Sequence, residues 1–129
     1  MLDPIIRAAA TAKNFAVLSL ILPNGEIATH VMWVDADDEH VLINTEVHRA
    51  KYKGMMANPK VTVTIMDGAD PYHYVEVRGR VTGEIRGPEA MTSIHALSHK
   101  YTDSDYAGEI KSERVIVQIT PDHFRVFGH

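Results

Sequence analysis

The sequence of 129 residues contains no cysteine. This absence excludes disulfide bonds, thiolate metal ligands and cysteine nucleophiles, and it is typical of proteins in a reducing cytosol. It also means that redox chemistry, where there is any, has to be carried by a bound cofactor.

Long hydrophobic runs are missing as well. A membrane-spanning helix needs about 20 consecutive apolar residues, and no stretch approaches that length. The N-terminal segment MLDPIIRAAATAKNF places Asp3 and Arg7 where a secretory signal would have an uninterrupted apolar run. We therefore expect a soluble, cytoplasmic protein that has no membrane partner.

Basic residues are fewer than acidic residues. The sequence has 13 Lys and Arg against 17 Asp and Glu, which gives a net charge of −4 at pH 7. Proteins that bind nucleic acid through its phosphates usually have a strongly basic face, so we expect no nucleic-acid partner. A hydrophobic share of 45% and a charged share of 23% are typical of a globular protein, and we assign residues 1–129 to one domain.

The hydrophobic pattern predicts a mainly β fold with three short helices. The Asp3-Pro4 pair is typical of a helix start, because Asp caps free N–H groups and Pro suits the first helical position. The predicted helices are Pro4–Ala12, His48–Ala57 and Pro88–Lys100. The spacing of Met91, Ile94, Leu97 and Tyr101 predicts a buried stripe on the third helix. The predicted strands are Phe15–Leu22, Glu26–Val34, His40–Thr45, Val61–Met66, Tyr72–Ile85, Arg114–Thr120 and His123–Phe127. These elements predict a compact antiparallel barrel of six or seven strands whose ends are closed by helices.

Three segments carry further information. The strand Phe15–Leu22 is apolar on both faces, whereas one face of a small antiparallel sheet should be wet, so we expect a second subunit to cover it. Along the strand Tyr72–Ile85, apolar residues alternate with charged or polar ones, so that Val75, Val77, Val81 and Ile85 point to one face. Gly79 and Gly83 fall on this apolar face, where glycine permits the bend that closes a barrel. The acidic segment Asp35–Glu39 lacks the ligand spacing of a calcium loop and is predicted to be a solvated turn.

The segment after the third strand is a candidate anion site. Arg49, Lys51 and Lys53 lie at the start of a predicted helix, whose free N–H groups and positive dipole end favour an anion. Two or three cations in this position suit a phosphate. The alternative is a solvated lysine face without a ligand, and the spacing alone does not decide between the two.

Other motifs are less specific. His95 and His99 have the spacing with which two imidazoles on a helix meet one metal, but the adjacent Glu of the metallopeptidase motif is missing. We predict that they are surface histidines and that the protein has no metal site. Tyr72, Tyr74 and Trp33 lie near strand ends, where aromatic side chains form either rim packing or the wall of a pocket for a flat ring.

The order of these motifs is similar to that of a known family. A Pro-Asn-Gly turn joins two strands, the second of which ends near Trp33, and the next strand ends in INT; the segments RAKYKGMMANPKVTVTI, DGADPYHYVEVRGRV and ERVIVQITPDHFRVFG follow. Over nearly the whole chain this order resembles the flavin-binding split-barrel family related to pyridoxamine 5′-phosphate oxidase. Arg49-Ala50-Lys51, Asn58-Pro59 and the KYTDSDY segment at 100–106 are most similar to the small branch that uses the deazaflavin coenzyme F420.

The resemblance implies a six-stranded split β-barrel of the FMN-binding type that forms a homodimer with two cofactor sites at its interface. It implies that Arg49 and Lys51 hold the cofactor phosphate and that Tyr72 and Tyr74 border the site from the second subunit. The cofactor-binding positions that it implies are Met32, Trp33, Asn44, Thr45, Arg49, Ala50, Lys51, Tyr72 and Tyr74.

The implied activity is hydride transfer from reduced F420 to an electron-poor double bond of a small organic substrate. The resemblance assigns no catalytic residue, and the final proton comes either from solvent or from one of Tyr72, His73 and Tyr74. An FMN-binding flavoprotein is the first alternative, and a cofactor-binding protein without turnover is the second. The polyglutamate tail of F420 requires additional cations, for which Lys53 and Lys60 are candidates.

One feature of the oxidase family is missing. Pyridoxamine phosphate oxidases are longer and end in an Arg- and His-bearing segment that grips the substrate, whereas the given sequence ends in Phe127-Gly128-His129. We therefore do not expect pyridoxamine phosphate oxidase activity.

Overall fold

A single antiparallel sheet of seven strands organises residues 1–128, which are the residues that the computed structural model describes. The strands are β1 (Phe15–Ile21), β2 (Ile27–Met32), β3 (Asp35–Ala36), β4 (Val41–Glu46), β5 (Lys60–Met66), β6 (Tyr74–Arg86) and β7 (Arg114–Phe127). The helices are α1 (Pro4–Thr11), α2 (Ala50–Ala57) and α3 (Pro88–Thr102). The strand order is β2-β1-β5-β6-β7-β4-β3. The prediction of a mainly β, antiparallel fold with short helices is confirmed.

Local sequence accounts for the helix ends. Asp3 caps α1, because its Oδ1 accepts a hydrogen bond from the backbone N–H of Ile5 at 2.9 Å, and Pro4 is the first helical residue. Helix α3 likewise begins at a proline, Pro88. The residue after its end, Asp103, is the C-cap and takes the left-handed conformation with a φ of 63°.

The hydrophobic core lies on one face of the sheet. Leu18, Val63 and Val77 are register partners on β1, β5 and β6, and none of the three is accessible to solvent. Ile6 of α1 and Met55 of α2 are packed into the same cluster. Along β1 and β5, buried residues alternate with half-buried or exposed ones, so the core side chains come from one face.

The last strand differs from the prediction. Residues 114–127 form one continuous strand, β7, rather than two strands broken at Pro121. Pairing with β4 ends at Ile119, so β7 beyond that point pairs with β6 alone, and Pro121 lies opposite Gly79 at a shift of register. A proline is tolerated there because its missing N–H is accommodated at edges and bulges.

The acidic segment and the closure of the sheet also differ from the prediction. Asp35–Ala36 form the short strand β3 against β4 instead of belonging to a turn. The turn is confined to the next residues, where Asp37 Oδ1 accepts hydrogen bonds from the backbone N–H groups of Glu39 and His40 at 2.8 and 2.7 Å. The sheet is open, with β2 and β3 as its edges, so the predicted closure of a barrel by strand pairing is wrong.

The outer face of β1 and β2 is mostly apolar, with one polar pair, Ser19 and Thr29, whose hydroxyl groups are hydrogen-bonded at 3.1 Å. Val17 and Ile21 of β1 are paired with Val31 and Ile27 of β2, and the latter two are 69% and 78% exposed. The apolar character of both faces of β1 is thus observed, while its cover by a second subunit stays a prediction. Among residues 1–128, no helix combines the length and the apolar character that crossing a membrane requires.

Gly79 and Gly83 mark two irregularities in the pairing of β6 with β7. A Cβ atom on Gly79 would clash with the backbone oxygen of Thr120. A Cβ atom on Gly83 would lie 2.5 Å from Oε1 of Gln118, which is the far end of a flexible side chain. The first contact cannot relax without moving a strand, whereas the second can.

We expect Gly79→Ala to lower the free energy of unfolding by about 1–3 kcal/mol, because the added methyl group forces β6 and β7 apart. Gly83→Ala is the matched control, and we expect a change of less than about 1 kcal/mol because Gln118 can swing away. Urea denaturation measures both values. Equal destabilisation by the two substitutions would contradict the assigned backbone contact.

Candidate functional site

A cavity of about 320 Å³ opens between the ends of β2 and β4, the start of α2 and one side of α3. We call it the main cavity. Its lining includes six of the nine positions that the resemblance implies: Met32, Trp33, Asn44, Thr45, Arg49 and Lys51. It also includes six residues that were not predicted as site residues: Phe15, Val31, Ile94, Leu97, Tyr106 and Arg114.

The positions of the site residues follow from where the elements end. Met32 is the last residue of β2, and Asn44 and Thr45 lie near the end of β4. Arg49 is the residue before the first turn of α2, and within residues 1–128 no side chain caps the free N–H groups of that turn. Lys51 lies within the turn. The cations and the positive end of the helix therefore face the same cavity, an arrangement that favours an anion.

Glu46 supplies the negative charge beside these cations. Its carboxylate is 1% exposed, and Oε1 accepts hydrogen bonds from the backbone N–H groups of Lys111 and Ser112 at 2.7 and 2.9 Å. Oε2 lies 3.4 Å from Nη1 of Arg114 and 3.6 Å from Nη2 of Arg49. Burial alone would raise the pKa of Glu46, but the two N–H donors and the charge of Arg114 outweigh it and lower that pKa.

Arg114 and Asn44 are fixed to each other across two strands. Arg114 Nε donates to Asn44 Oδ1 at 2.9 Å, and Asn44 Nδ2 donates to the backbone oxygen of Ala90 in α3 at 2.8 Å. The guanidinium also lies over the ring of Tyr106, 5.3 Å from its centroid. Burial lowers the pKa of Arg114, against the effect of Tyr106 and Glu46, and the group stays charged.

Lys51 and Thr45 each present an unused polar group. The ammonium group of Lys51 has no ion pair or hydrogen bond with any residue that the structure describes. Burial, together with the charges of Arg49 and Arg114, lowers the pKa of Lys51. Thr45 is buried, and its Oγ1 has no hydrogen-bond partner within residues 1–128. A buried polar atom without a partner is costly, so a ligand that bonds to it is favoured.

The opposite wall of the main cavity is apolar. Ile94 and Leu97 of α3 line it, and both belong to the stripe Met91, Ile94, Leu97 and Tyr101 that the sequence predicts to be buried. Trp33 stacks on Tyr101 with 5.2 Å between ring centroids and meets Tyr106 edge-on at 6.3 Å. The cavity therefore has a cationic end, formed by Arg49 and Lys51, and an aromatic and aliphatic wall.

A second cavity of about 470 Å³ adjoins the cationic end, because Arg49 and Lys51 line both cavities. We call it the side cavity, and its other lining residues are His30, Glu46, His48, Ala50, Glu109 and Lys111. Ala50 therefore faces the side cavity rather than the main one. Lys53 is exposed outside both cavities, and Lys60 lines a separate cavity on the outer face of the sheet.

Tyr72 and Tyr74 lie outside both cavities in this chain. Tyr72 is 82% exposed, and Tyr74 stacks on Phe127 with 4.6 Å between ring centroids. Tyr74 lines another cavity, beside α1 and the end of β7. Their contribution from a second subunit stays a prediction.

The side chains of His95 and His99 each contact the loop that follows α3 and do not meet at one point. His99 Nε2 lies 2.6 Å from Asp105 Oδ1, and His95 Nδ1 accepts a hydrogen bond from the backbone N–H of Tyr106 at 3.1 Å. No group of three or more His, Asp or Glu suited to a metal ion occurs in the part of the chain that the structure describes.

The comparisons with known proteins agree with this architecture. The family model of pyridoxamine 5′-phosphate oxidase matches residues 2–128, and the chain belongs to this family. No curated protein matches the chain significantly. An F420 reductase of known structure is 26% identical, with a TM-score of 0.77 over 92% of this chain and 94% of that one. The resemblance to the family and to its F420-using branch is therefore confirmed.

Two further structures show the fold alone. The conserved hypothetical protein Rv2991 from Mycobacterium tuberculosis is 22% identical, with a TM-score of 0.74 over 98% of this chain and 84% of that chain. The heme storage protein HutZ from Vibrio cholerae is 8% identical, with a TM-score of 0.68 over 98% of this chain and 95% of that chain.

We expect the charge of Glu46 to stabilise the fold above the ordinary pKa range of a carboxyl group, because its pKa in the folded state is lowered. Glu46→Gln preserves an acceptor for Lys111 and Ser112 but leaves Arg114 and Arg49 without their counter-charge. The loss of unfolding free energy should be about 3 kcal/mol at pH 7. It should shrink as the pH falls below the ordinary pKa range of a carboxyl group, and it should vanish once the pH falls below the lowered pKa of Glu46 in the folded state.

Urea denaturation at pH 7 and pH 3.5 measures this loss. The control is Glu113→Gln, which removes an exposed partner of Arg86 and should change the free energy by less than about 1 kcal/mol. A loss for Glu46→Gln that is the same at both pH values would show that the charge of Glu46 does not stabilise the fold.

Proposed function

We propose that this chain is an F420-dependent oxidoreductase that binds the deazaflavin in the main cavity and transfers a hydride to a small, electron-poor organic substrate. The observation that carries the proposal is the composition of the main cavity, in which unpaired Lys51 and half-exposed Arg49 adjoin a flat aromatic and aliphatic wall. A molecule with an anionic group and a planar ring matches both parts. The likeness to an F420 reductase supports the choice of cofactor.

The polar groups of the cavity fit such a cofactor. Lys51 and Arg49 would hold its phosphate, assisted by the free N–H groups of the first turn of α2. Thr45 Oγ1, which is buried and has no partner among the described residues, would bond to a polar atom of the ring. Trp33 and Leu97 would pack against its faces.

Bound F420 supplies the hydride chemistry, and the protein supplies position and surroundings. Asn44 is held by Arg114 and Ala90, so the edge of the cavity that it forms is fixed before a ligand arrives. Ile94 and Leu97 exclude water from the adjoining wall. None of Tyr72, His73 and Tyr74 lines the main cavity, and we propose solvent as the source of the final proton.

The choice between F420 and FMN depends on the side cavity. The polyglutamate tail of F420 extends beyond the phosphate and carries several carboxylates, whereas FMN ends at its phosphate. The side cavity starts at Arg49 and Lys51 and adds Lys111, His48 and His30, with Glu46 and Glu109 as opposing charges. We therefore propose that the polyglutamate tail binds in the side cavity and not at Lys53 and Lys60. An FMN flavoprotein is the second candidate because the main cavity suits both ring systems.

Titration of the purified protein with F420 and with FMN, followed by fluorescence, tests the proposal. We expect F420 to bind more tightly than FMN, and reduced F420 to be oxidised when nitro or enone compounds are added. Tighter binding of FMN would favour the second candidate. Binding of F420 without turnover of any acceptor would favour a protein that binds the cofactor without catalysis.

We expect the double substitution Arg49→Ala/Lys51→Ala to weaken binding of F420 at least about 100-fold, because two charge-assisted contacts to the phosphate are removed. The control is Lys53→Ala, which removes a cation of the same helix outside both cavities and should leave the affinity unchanged. Urea denaturation shows whether the double variant is folded. Wild-type affinity of a folded double variant would refute the assignment of the phosphate.

We also propose that the chain forms a homodimer through the outer face of β1 and β2, where Ile27 and Val31 are exposed. Light scattering should give a mass of twice 14.4 kDa. Ile27→Glu should raise the dissociation constant of the dimer at least about 10-fold, because a carboxylate would be buried at the interface. Met56→Glu alters an exposed apolar residue of α2 and should have no effect. A wild-type monomer would contradict this assembly.

A further inference from the structure

The three cations that line the main cavity lie at different depths. The side chain of Arg49 is 44% exposed, and Lys51 is partly exposed. Arg114 is only 6% exposed and is enclosed by Asn44, Glu46 and Tyr106. A phosphate at the cationic end of the cavity is therefore met by Arg49 and Lys51, whereas Arg114 belongs to the inner part.

The position of Arg114 is fixed by contacts that leave its charge incompletely balanced. Its Nε is bonded to Asn44 at 2.9 Å, and its Nη1 lies 3.4 Å from the carboxylate of Glu46. The same carboxylate oxygen lies 3.6 Å from Nη2 of Arg49, so two guanidinium groups share one negative charge. Lys51 adds a third positive charge beside them. Among the residues that line the main cavity, positive charges thus exceed negative ones.

Because positive charge is in excess around it, the buried guanidinium of Arg114 favours a ligand group that carries negative charge or a carbonyl oxygen. Because Arg49 and Lys51 lie nearer to the solvent, the partner of Arg114 is a part of the ligand that lies deeper than the phosphate. Arg114 and Thr45 Oγ1 together provide polar groups inside a cavity whose opposite wall is apolar. This pattern matches a planar ring with one polar edge.

We propose that Arg114 binds the polar edge of the cofactor ring and favours the form of the ring that carries more negative charge, independently of the phosphate contacts. The inference rests on the proposed function, since it requires a flavin or deazaflavin in the main cavity. It assigns the two ends of the cofactor to different cations: the phosphate to Arg49 and Lys51, and the ring to Arg114.

Ligands with and without a phosphate separate these two assignments. The probes are FMN and riboflavin, and F420 and the deazaflavin riboside that lacks the phosphate. Arg114→Gln should weaken all four by a similar factor of at least about 10, because the contact to the ring is common to them. The matched variant is Arg49→Gln, which removes the other guanidinium beside Glu46. It should weaken FMN and F420 and leave the affinity for the two ribosides unchanged.

The reduction potential of bound FMN provides a second readout. Two-electron reduction with the uptake of one proton leaves the flavin ring with one additional negative charge, which a nearby cation stabilises. Arg114→Gln should therefore weaken reduced FMN about 10-fold more than oxidised FMN, a shift of about 30 mV towards more negative potentials. Arg114→Lys retains the charge and should keep the potential near the wild-type value, although the bond to Asn44 is lost.

Arg114→Gln leaves the carboxylate of Glu46 with fewer partners and can therefore impair folding. In that case the double variant Glu46→Gln/Arg114→Gln, which removes both charges of the pair, takes its place and should show the same loss of riboside affinity relative to Glu46→Gln alone.

The outcomes distinguish this inference from the proposed function. If wild-type protein binds none of the four probes, the proposed function fails, and the role of Arg114 fails with it. If wild-type protein binds them and a folded variant without Arg114 loses affinity only for FMN and F420, Arg114 binds the phosphate and the inference is wrong. Unchanged affinity for the ribosides together with an unchanged potential would also overturn it.

Discussion

The buried carboxylate of Glu46 is the interaction on which the arrangement of the site depends. It accepts two backbone N–H groups from the segment before β7 and faces the guanidinium groups of Arg49 and Arg114. Three cations around one cavity repel one another, and a carboxylate removed from solvent is unfavourable by itself. The carboxylate of Glu46 reduces the repulsion between the cations, and the cations compensate for the burial of the carboxylate. The end of β4, the start of α2 and the start of β7 are held together as a result.

The topology of the sheet makes this interaction possible. Strand β4 pairs with β7, which brings Asn44 next to Ile116 and Glu46 next to Arg114, partners far apart in sequence. The same pairing leaves β4 near one edge of the sheet, with β3 as its outer neighbour. The chain after β4 is therefore free to turn into α2 at the surface. Arg49 and Lys51, at the start of α2, therefore lie at the mouth of the main cavity. The buried guanidinium of Arg114 lies in its inner part.

Signals local in sequence predicted much of this structure. The cap at Asp3, the alternation along β6 and the buried stripe of α3 depend on residues a few positions apart, and each is observed. Six of the nine site residues line one cavity; the family resemblance implied these positions, and they lie at or near the ends of β2 and β4 and the start of α2. Arg114 was not predicted, since its partners Asn44 and Glu46 are about 70 positions away and only the strand register brings them together. The continuity of β7 through Pro121 depends on β4 ending earlier, which local patterns do not show.

The division of the main cavity also explains why the fold alone leaves the cofactor open. Similar folds occur in an F420 reductase and in a heme storage protein, so the sheet itself selects no ligand. In this chain the selection lies in side chains that stand on strand ends and a helix start, and these can change without changing the sheet. We propose that the cationic end selects for a phosphate and that the inner guanidinium and Thr45 Oγ1 select for a polar ring edge. FMN and F420 share both features. Under the proposed function, discrimination between them therefore depends on the side cavity, where a cofactor with an anionic extension beyond its phosphate would reach Lys111 and His48.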